Sequence, residues 1–144
     1  KVGRELLVEI IAGKHGPLDD HTIERALIEL YDLGIRPDWW KLEPQANIAS
    51  WRNIEAVINK RDPWCRGVVL LGLEAPHHEL EAAFAATANA PIVRGFAVGR
   101  TIFNEAAEQW IGGRMSDDAA IADMAGRFEK LTEAWLAARG QKAA

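Results

Sequence analysis

The sequence predicts an α/β fold in which parallel strands are joined by helices. Three observations predict it: short apolar runs alternate with longer segments of helical spacing, the alternation occurs four times, and strand follows strand at about thirty residues, the size of a βαβ unit. Parallel neighbours need long crossover connections, and a helix in each connection supplies them. The strands end in polar or glycine-bearing loops, as in barrels that build their sites at the C-terminal strand ends. The chain is therefore read as one domain over residues 1–144, four β/α units of a TIM (β/α)8 barrel. A whole barrel takes about 250 residues, so this is about half of one.

The first strand is read as Leu6-Leu7-Val8-Glu9-Ile10-Ile11, after residues Lys1 to Glu5 that look like a chain joining a fold midway. A polar loop through Gly13, Gly16 and Pro17 leads to a helix whose apolar positions Ile23, Leu27 and Leu30 recur at helical intervals, with Gly34 where it should stop. The second strand is Asp38 to Glu43, ended by Pro44, with Ser50 as the expected cap of a helix around Ile54, Val57 and Ile58. The third strand runs from Gly67 to Leu73, followed by Pro76 and a helix over Leu80 to Ala88. The fourth runs from Ile92 to Val98, and its helix is expected to start near Asn104. Ser116 should cap a last helix with an apolar face of Ala119, Met124, Phe128, Leu131 and Trp135, and the tail from Gly140 should fray.

Composition narrows the function classes. With 17 basic and 21 acidic residues mixed along the chain, the net charge is -4 and no basic stripe points to nucleic acid. The apolar runs are strand-length, and neither a membrane span nor a signal peptide is expected. Cys65 is the single cysteine, which fits a reducing cytoplasm and an inert structural thiol. Half a barrel would leave a strand edge and an apolar face uncovered. The expected cover is a missing N-terminal half-barrel, a second copy of the chain, or closure of the sheet into another arrangement.

Lys41 stands in an otherwise aromatic and apolar strand, beside Trp39, Trp40 and Leu42. An amine buried there has its charged form disfavoured and becomes the nucleophile that forms an imine with a ketone. The alternatives are pairing with Glu9 or Glu43, or an ammonium group that reaches out to water. Glu9 is the matching carboxylate in the first strand. Alternation places Leu7, Glu9 and Ile11 on one face and Trp39, Lys41 and Glu43 on one face of theirs, so Glu9 and Lys41 can meet if both faces point into one barrel. Glu9 is then either a proton shuttle beside the amine or half of a structural salt bridge.

At the end of the fourth strand, Gly95-Phe96-Ala97-Val98-Gly99-Arg100-Thr101 offers a glycine for close approach of an anion and an arginine to grip it. The alternative for Arg100, and the one that Gly-Arg taken alone favours, is one side of a surface or inter-strand ion pair. Gly72 offers a similar approach after the third strand, though Glu74 beside it would repel an anion. Lys14 and His15 follow the first strand and are candidates for contacting carboxylate or phosphate at the barrel mouth, or else solvated loop residues. His77 and His78 open a helix but point different ways, so no metal site is expected of them. Trp51, Trp64, Trp110 and Trp135 are read as packing residues.

Taken in order, Leu-Leu-Val-Glu-Ile-Ile, Trp-Trp-Lys-Leu-Glu-Pro, Leu-Leu-Gly-Leu-Glu-Ala-Pro and Gly-Phe-Ala-Val-Gly-Arg-Thr-Ile-Phe resemble the C-terminal aldolase-like domain of bacterial 5-dehydro-2-deoxygluconokinase proteins of inositol catabolism. They are also similar to the later strands of class I tagatose-bisphosphate aldolases. The resemblance runs from about Leu6 to Trp135. It implies the C-terminal half of a barrel, an imine-forming lysine at Lys41, an acid/base glutamate at Glu9, and a phosphate loop containing Gly99 and Arg100. It further implies a phosphorylated keto-sugar acid as substrate, with no cofactor and no metal required. The reaction implied is cleavage of 6-phospho-5-dehydro-2-deoxy-D-gluconate to dihydroxyacetone phosphate and malonate semialdehyde. Two other readings stand beside it: a non-catalytic barrel module attached to a sugar kinase, and a class I aldolase for another phosphorylated ketose.

Overall fold

The computed structural model describes residues 3–141. Its contacts fall into two compact units, Lys1–Leu71 with Asn89–Ala97, and Gly72–Ala88 with Val98–Ala144. The first unit holds β1 (Leu7–Ile10), a 3-10 turn (Gly13–His15), α1 (Thr22–Asp32), β2 (Trp39–Leu42), α2 (Ile48–Arg61), β3 (Gly67–Leu70) and β4 (Val93–Phe96). All neighbouring strands are parallel and their order is β1-β2-β3-β4. A sequential order belongs to a barrel sheet, whereas a doubly wound sheet reverses at a switch point. Among the described residues, four parallel strands thus alternate with helices along the chain, the α/β arrangement of half a (β/α)8 barrel.

Each strand is shorter than the apolar run that predicts it. The Leu6 N–H donates to Asp38 Oδ2 at 2.8 Å instead of joining the ladder. At the start of α1, Asp19 accepts from the Thr22 hydroxyl, the Arg25 guanidinium and the His21 N–H. Those donors, the threonine first, hold its carboxyl well below the usual carboxylate range. Gly34 ends the helix as expected: with φ of 82° it turns left-handed, and the N–H groups of Gly34 and Ile35 close on the carbonyls of Tyr31 and Leu30. The cap of α2 is Asn47 rather than Ser50. Asn47 Oδ1 accepts from the Ser50 N–H at 3.1 Å, while the Ser50 hydroxyl donates to Asp20.

The core of the first unit is built on period-two alternation. Trp40, Leu42, Val68, Leu70 and Val93 are buried, as are Ile23, Leu27 and Tyr31 of α1 and Ile54 and Ile58 of α2. Trp40 and Tyr31 meet edge to face with ring centroids 5.6 Å apart, and the Trp40 indole N–H donates to the Tyr31 hydroxyl at 2.8 Å. The pairing of β3 with β4 carries an irregularity between Val68 and Val69. Gly67, the residue before Val68, has φ of 136°, and a Cβ on it would stand 2.8 Å from the Ile92 carbonyl oxygen, so only glycine fits.

The second unit contains α3 (His77–Ala86), α4 (Arg100–Ile111) and α5 (Asp117–Ala138). Helix α4 starts four residues before the expected Asn104, with Gly99 at the cap position. Ser116 does cap α5, accepting from the Ala119 N–H at 3.3 Å. The buried stripe of α5 is narrower than expected: Ala120, Leu131 and Trp135 are covered, while Phe128 is 53% exposed. Trp135 packs edge to face on Phe84. Of the other tryptophans, Trp51 is buried, Trp110 is half exposed and donates to Asp117, and Trp64 is exposed, a correction to its reading as a packing residue. Trp64 lies in the loop after α2, where its backbone N–H turns back to Asp62. Lys1, Val2 and residues 142–144, part of the expected chain start and fraying tail, lie outside the described residues.

Burial pushes the Tyr31 hydroxyl up to about 12 from 10.0. Its contribution to stability is full below pH 10 and is lost as pH rises toward 12, because the unfolded chain ionises first. Tyr31 is the only tyrosine, so phenolate absorbance during alkaline titration reads it directly. Tyr31→Phe should remove the late ionisation and lower unfolding stability in urea by about 1–3 kcal/mol, since the Trp40 N–H is left buried without an acceptor. An unchanged urea midpoint would count against this account.

Candidate functional site

Strand register decides which side chains can act together. In the parallel pair of β1 and β2, Glu9 stands opposite Lys41. The Lys41 ammonium nitrogen Nζ lies 2.9 Å from Glu9 Oε1, with the two side chains 24% and 38% exposed. The approach expected from alternation is therefore present. The surroundings of the amine differ from the expectation, because Trp40 and Leu42 turn to the opposite, buried face. Trp39 alone of the three shares the face of Lys41, and its indole N–H donates to Glu5 at 2.8 Å. The amine is part-buried on a face that also carries Leu7, Trp39 and Val69, instead of being enclosed by aromatic rings.

Glu43, the other carboxylate weighed as a partner for Lys41, goes elsewhere. It lies just past β2, is 5% exposed, and accepts from the Ala12 N–H at 2.7 Å and the Gly13 N–H at 2.9 Å. A carboxylate withdrawn from water needs donors of this kind. A Cβ on Gly13 would come within 2.8 Å of Glu43 Oε1, so the close approach depends on glycine at that position. Gln45, also buried, donates to the Glu43 carbonyl at 2.7 Å. The result is a clamp between the ends of β1 and β2. The clamped 3-10 turn carries Lys14 and His15 side by side, both exposed. The sequence signal for this role of Glu43 is slight, a carboxylate closing an apolar strand before Pro44, and its donors lie thirty residues away.

Gly72, Gly99 and Arg100 belong to the second unit. Gly72 opens a tight turn in which the Ala75 N–H donates to the Gly72 carbonyl at 2.7 Å. Leu73 and Glu74, the two central residues, have φ of 45° and 64°, a left-handed pair more usual for Asn-Gly. Side chains without glycine's freedom pay about 1–2 kcal/mol each in that region. The first turn of α4 holds this loop: Arg100 forms an ion pair with Glu74, and the Thr101 hydroxyl donates to the Ala75 carbonyl at 2.9 Å. Glu74 thus neutralises the arginine. The space each glycine leaves is taken by a side chain, Val98 at Gly72 and Phe103 at Gly99.

A cavity of about 330 Å³ lies within this unit, lined by Glu74, Pro76, His77, Thr101, Arg127 and Leu131. Arg127 is held by Asp123 and Glu105, whose hydrogen bonds push its guanidinium further up. His77 pairs through Nδ1 with Glu81 and does not join His78 in any cluster. Among the described residues, no group of three or more His, Cys, Asp or Glu is placed to hold a metal ion, and no helix is long and apolar enough to cross a membrane.

A singly wound parallel sheet with a lysine–glutamate pair on one strand face defines a half-barrel α/β protein. Residues 1–139 match the model of a family described as "Uncharacterized protein conserved in bacteria (DUF2090)", and the chain belongs to that family. No curated protein matches the sequence.

The thiol of Cys65 lies 3.7 Å from the carbonyls of Asp38 and Gly67, and burial pushes it up from 9.0. Since the thiolate is the reactive form, iodoacetamide should modify Cys65 more slowly in the native protein than in urea, with the native rate still climbing above pH 9. Equal rates in the two states would contradict a sheltered thiol.

Proposed function

We propose that this protein is a Schiff-base aldolase, with Lys41 as the nucleophile and Glu9 as its acid/base partner. The observation that carries the reading is the 2.9 Å contact between Lys41 Nζ and Glu9 Oε1 across adjacent parallel strands, in the C-terminal halves of both. A carboxylate at that distance can take a proton from the ammonium group and free the lone pair for attack. Lys41 attacks the substrate ketone and water leaves, giving an iminium. The iminium accepts the electron pair as the bond between carbons 3 and 4 breaks, while Glu9, directly or through water, takes the proton of the carbon-3 hydroxyl. Malonate semialdehyde departs, the enamine is protonated, and water releases dihydroxyacetone phosphate and restores the amine. The resemblance of the strand motifs to the aldolase-like domain of the inositol-catabolism kinases supports 6-phospho-5-dehydro-2-deoxy-D-gluconate as substrate and a cytoplasmic setting. Another phosphorylated ketose would be cleaved by the same steps.

Within the second unit the candidates for the phosphate are Gly72, Gly99 and Arg100; within the first, Lys14 and His15 are candidates for an anionic group of the substrate. The N-terminus of α4 favours an anion, since its first N–H groups have no partner within the helix. A phosphate there has to displace Glu74 from Arg100. That ion pair favours a second reading, a non-catalytic barrel module attached to a sugar kinase, in which both Lys41–Glu9 and Arg100–Glu74 simply neutralise charge. In either reading the edge strand β1, with Leu6 and Leu7 about half exposed, is covered by a further half-barrel, either an N-terminal half or a second copy.

Borohydride reduction in the presence of dihydroxyacetone phosphate separates the two. The aldolase should gain the mass of the reduced adduct on Lys41, and Lys41→Ala should abolish it. Glu9→Gln should slow adduct formation by about a hundredfold or more, the scale of general acid–base catalysis. Absence of any adduct in protein paired with its complementary half would leave the module reading. Purified chain without that half should show little or no turnover.

A further inference from the structure

The aldolase chemistry makes no use of Glu43, yet this carboxylate is the most sheltered acidic group near Lys41. It lies two residues beyond the lysine, and its hydrogen bonds to the Ala12 and Gly13 N–H groups tie the end of β2 to the segment that follows Glu9. The tied segment has little else to fix it. It is a three-residue 3-10 turn without a side-chain cap of its own, closed by one backbone bond from the His15 N–H to the Ala12 carbonyl. Withdrawing a carboxylate from water to hold so short a turn is costly, and an apolar residue would pack the site at less expense. The cost is understandable if the orientation of the turn matters.

We propose that Glu43 is a positioning residue: by gripping Ala12 and Gly13 it orients Lys14 and His15 toward the anionic end of the substrate, at the strand ends that carry Glu9 and Lys41. The inference rests on the reading of Lys41 as the imine-forming residue, and deepens it. Glu43 itself touches no reacting atom. Its effect runs through the turn, so it should govern how well the anion is held and leave the covalent step at Lys41 unaltered.

Two substitutions test this in different ways. Glu43→Gln keeps the length and one acceptor oxygen but removes the charge that strengthens both bonds. Gly13→Ala keeps the carboxylate and displaces it, because the new Cβ would stand 2.8 Å from Oε1, and the φ of Gly13 does not lie in the left-handed region. The chain, together with the half-barrel that covers β1, is titrated with dihydroxyacetone phosphate, following the amide signals of Lys14 and His15 by NMR. In parallel, the borohydride trapping rate at Lys41 is measured against ligand concentration. Both variants should raise the half-saturating concentration about tenfold in both readouts while the maximal trapping rate holds. Unchanged half-saturation in either folded variant, a fall in the maximal rate alone, or no response of the Lys14 and His15 signals in the unsubstituted protein would each overturn the proposal. If those signals respond but no adduct forms in the unsubstituted protein, the imine reading fails and the binding data alone decide the role of Glu43.

Discussion

The register between β1 and β2 is the constraint on which the first unit depends. In a strand, successive side chains face opposite ways, so a slip of one residue would exchange everything on the two faces. Trp40 and Leu42 would come out to water, and Lys41 would be driven against Tyr31. The indole–phenol hydrogen bond of Trp40 with Tyr31 opposes such a slip, because it is available in one register only. A buried face thereby fixes the one that carries the charged pair. The pairing of Lys41 with Glu9 follows from packing on the far side of the sheet, and neither charged residue has to supply the stability that brings them together.

Much of this was legible in the sequence, and the reasons differ from element to element. The strands announce themselves as apolar runs, and α1 and α2 as helical spacing, because burial on one face leaves a period in the residues that make it. Gly34 marks its helix end because a left-handed residue is needed there and glycine supplies it. The start of α4 escaped notice for a related reason: Gly99 at the cap has no side-chain acceptor, so nothing local separates Gly99-Arg100 from the strand before it. Ser50 misled because it is a good capping residue three positions too late, where it serves as the capped N–H donor instead. The site pair Lys41–Glu9 was legible because it depends only on alternation and strand adjacency. The destination of Glu43 was not, since its donors come from a loop thirty residues earlier and no pattern along the chain encodes that meeting.

Three glutamates near candidate site residues settle their charge in three ways. Glu9 faces an amine, Glu43 faces backbone N–H groups, and Glu74 faces a guanidinium. These partners differ in how readily they can be given up. The backbone donors are fixed and the Glu43 carboxylate is sheltered, which suits a lasting structural clamp. The Arg100–Glu74 pair is more than half exposed on both sides, so water and salt weaken it and an incoming anion can compete for the arginine. The left-handed backbone at Leu73 and Glu74 sits at the one place where such competition would demand movement.

The two compact units are interleaved along the chain: the first is left after Leu71, resumed at Asn89 for β4, and left again after Ala97. On the ribosome, then, the first body is complete only when Ala97 has been added, after α3 of the second. The sheet waits for its fourth strand until α3 has already been synthesised, and α3 waits still longer for the Trp135 ring that meets Phe84 edge to face. A single cut therefore cannot give either body by itself: a break after Ala97 leaves the first still carrying α3, and a break after Leu71 leaves the second still carrying β4.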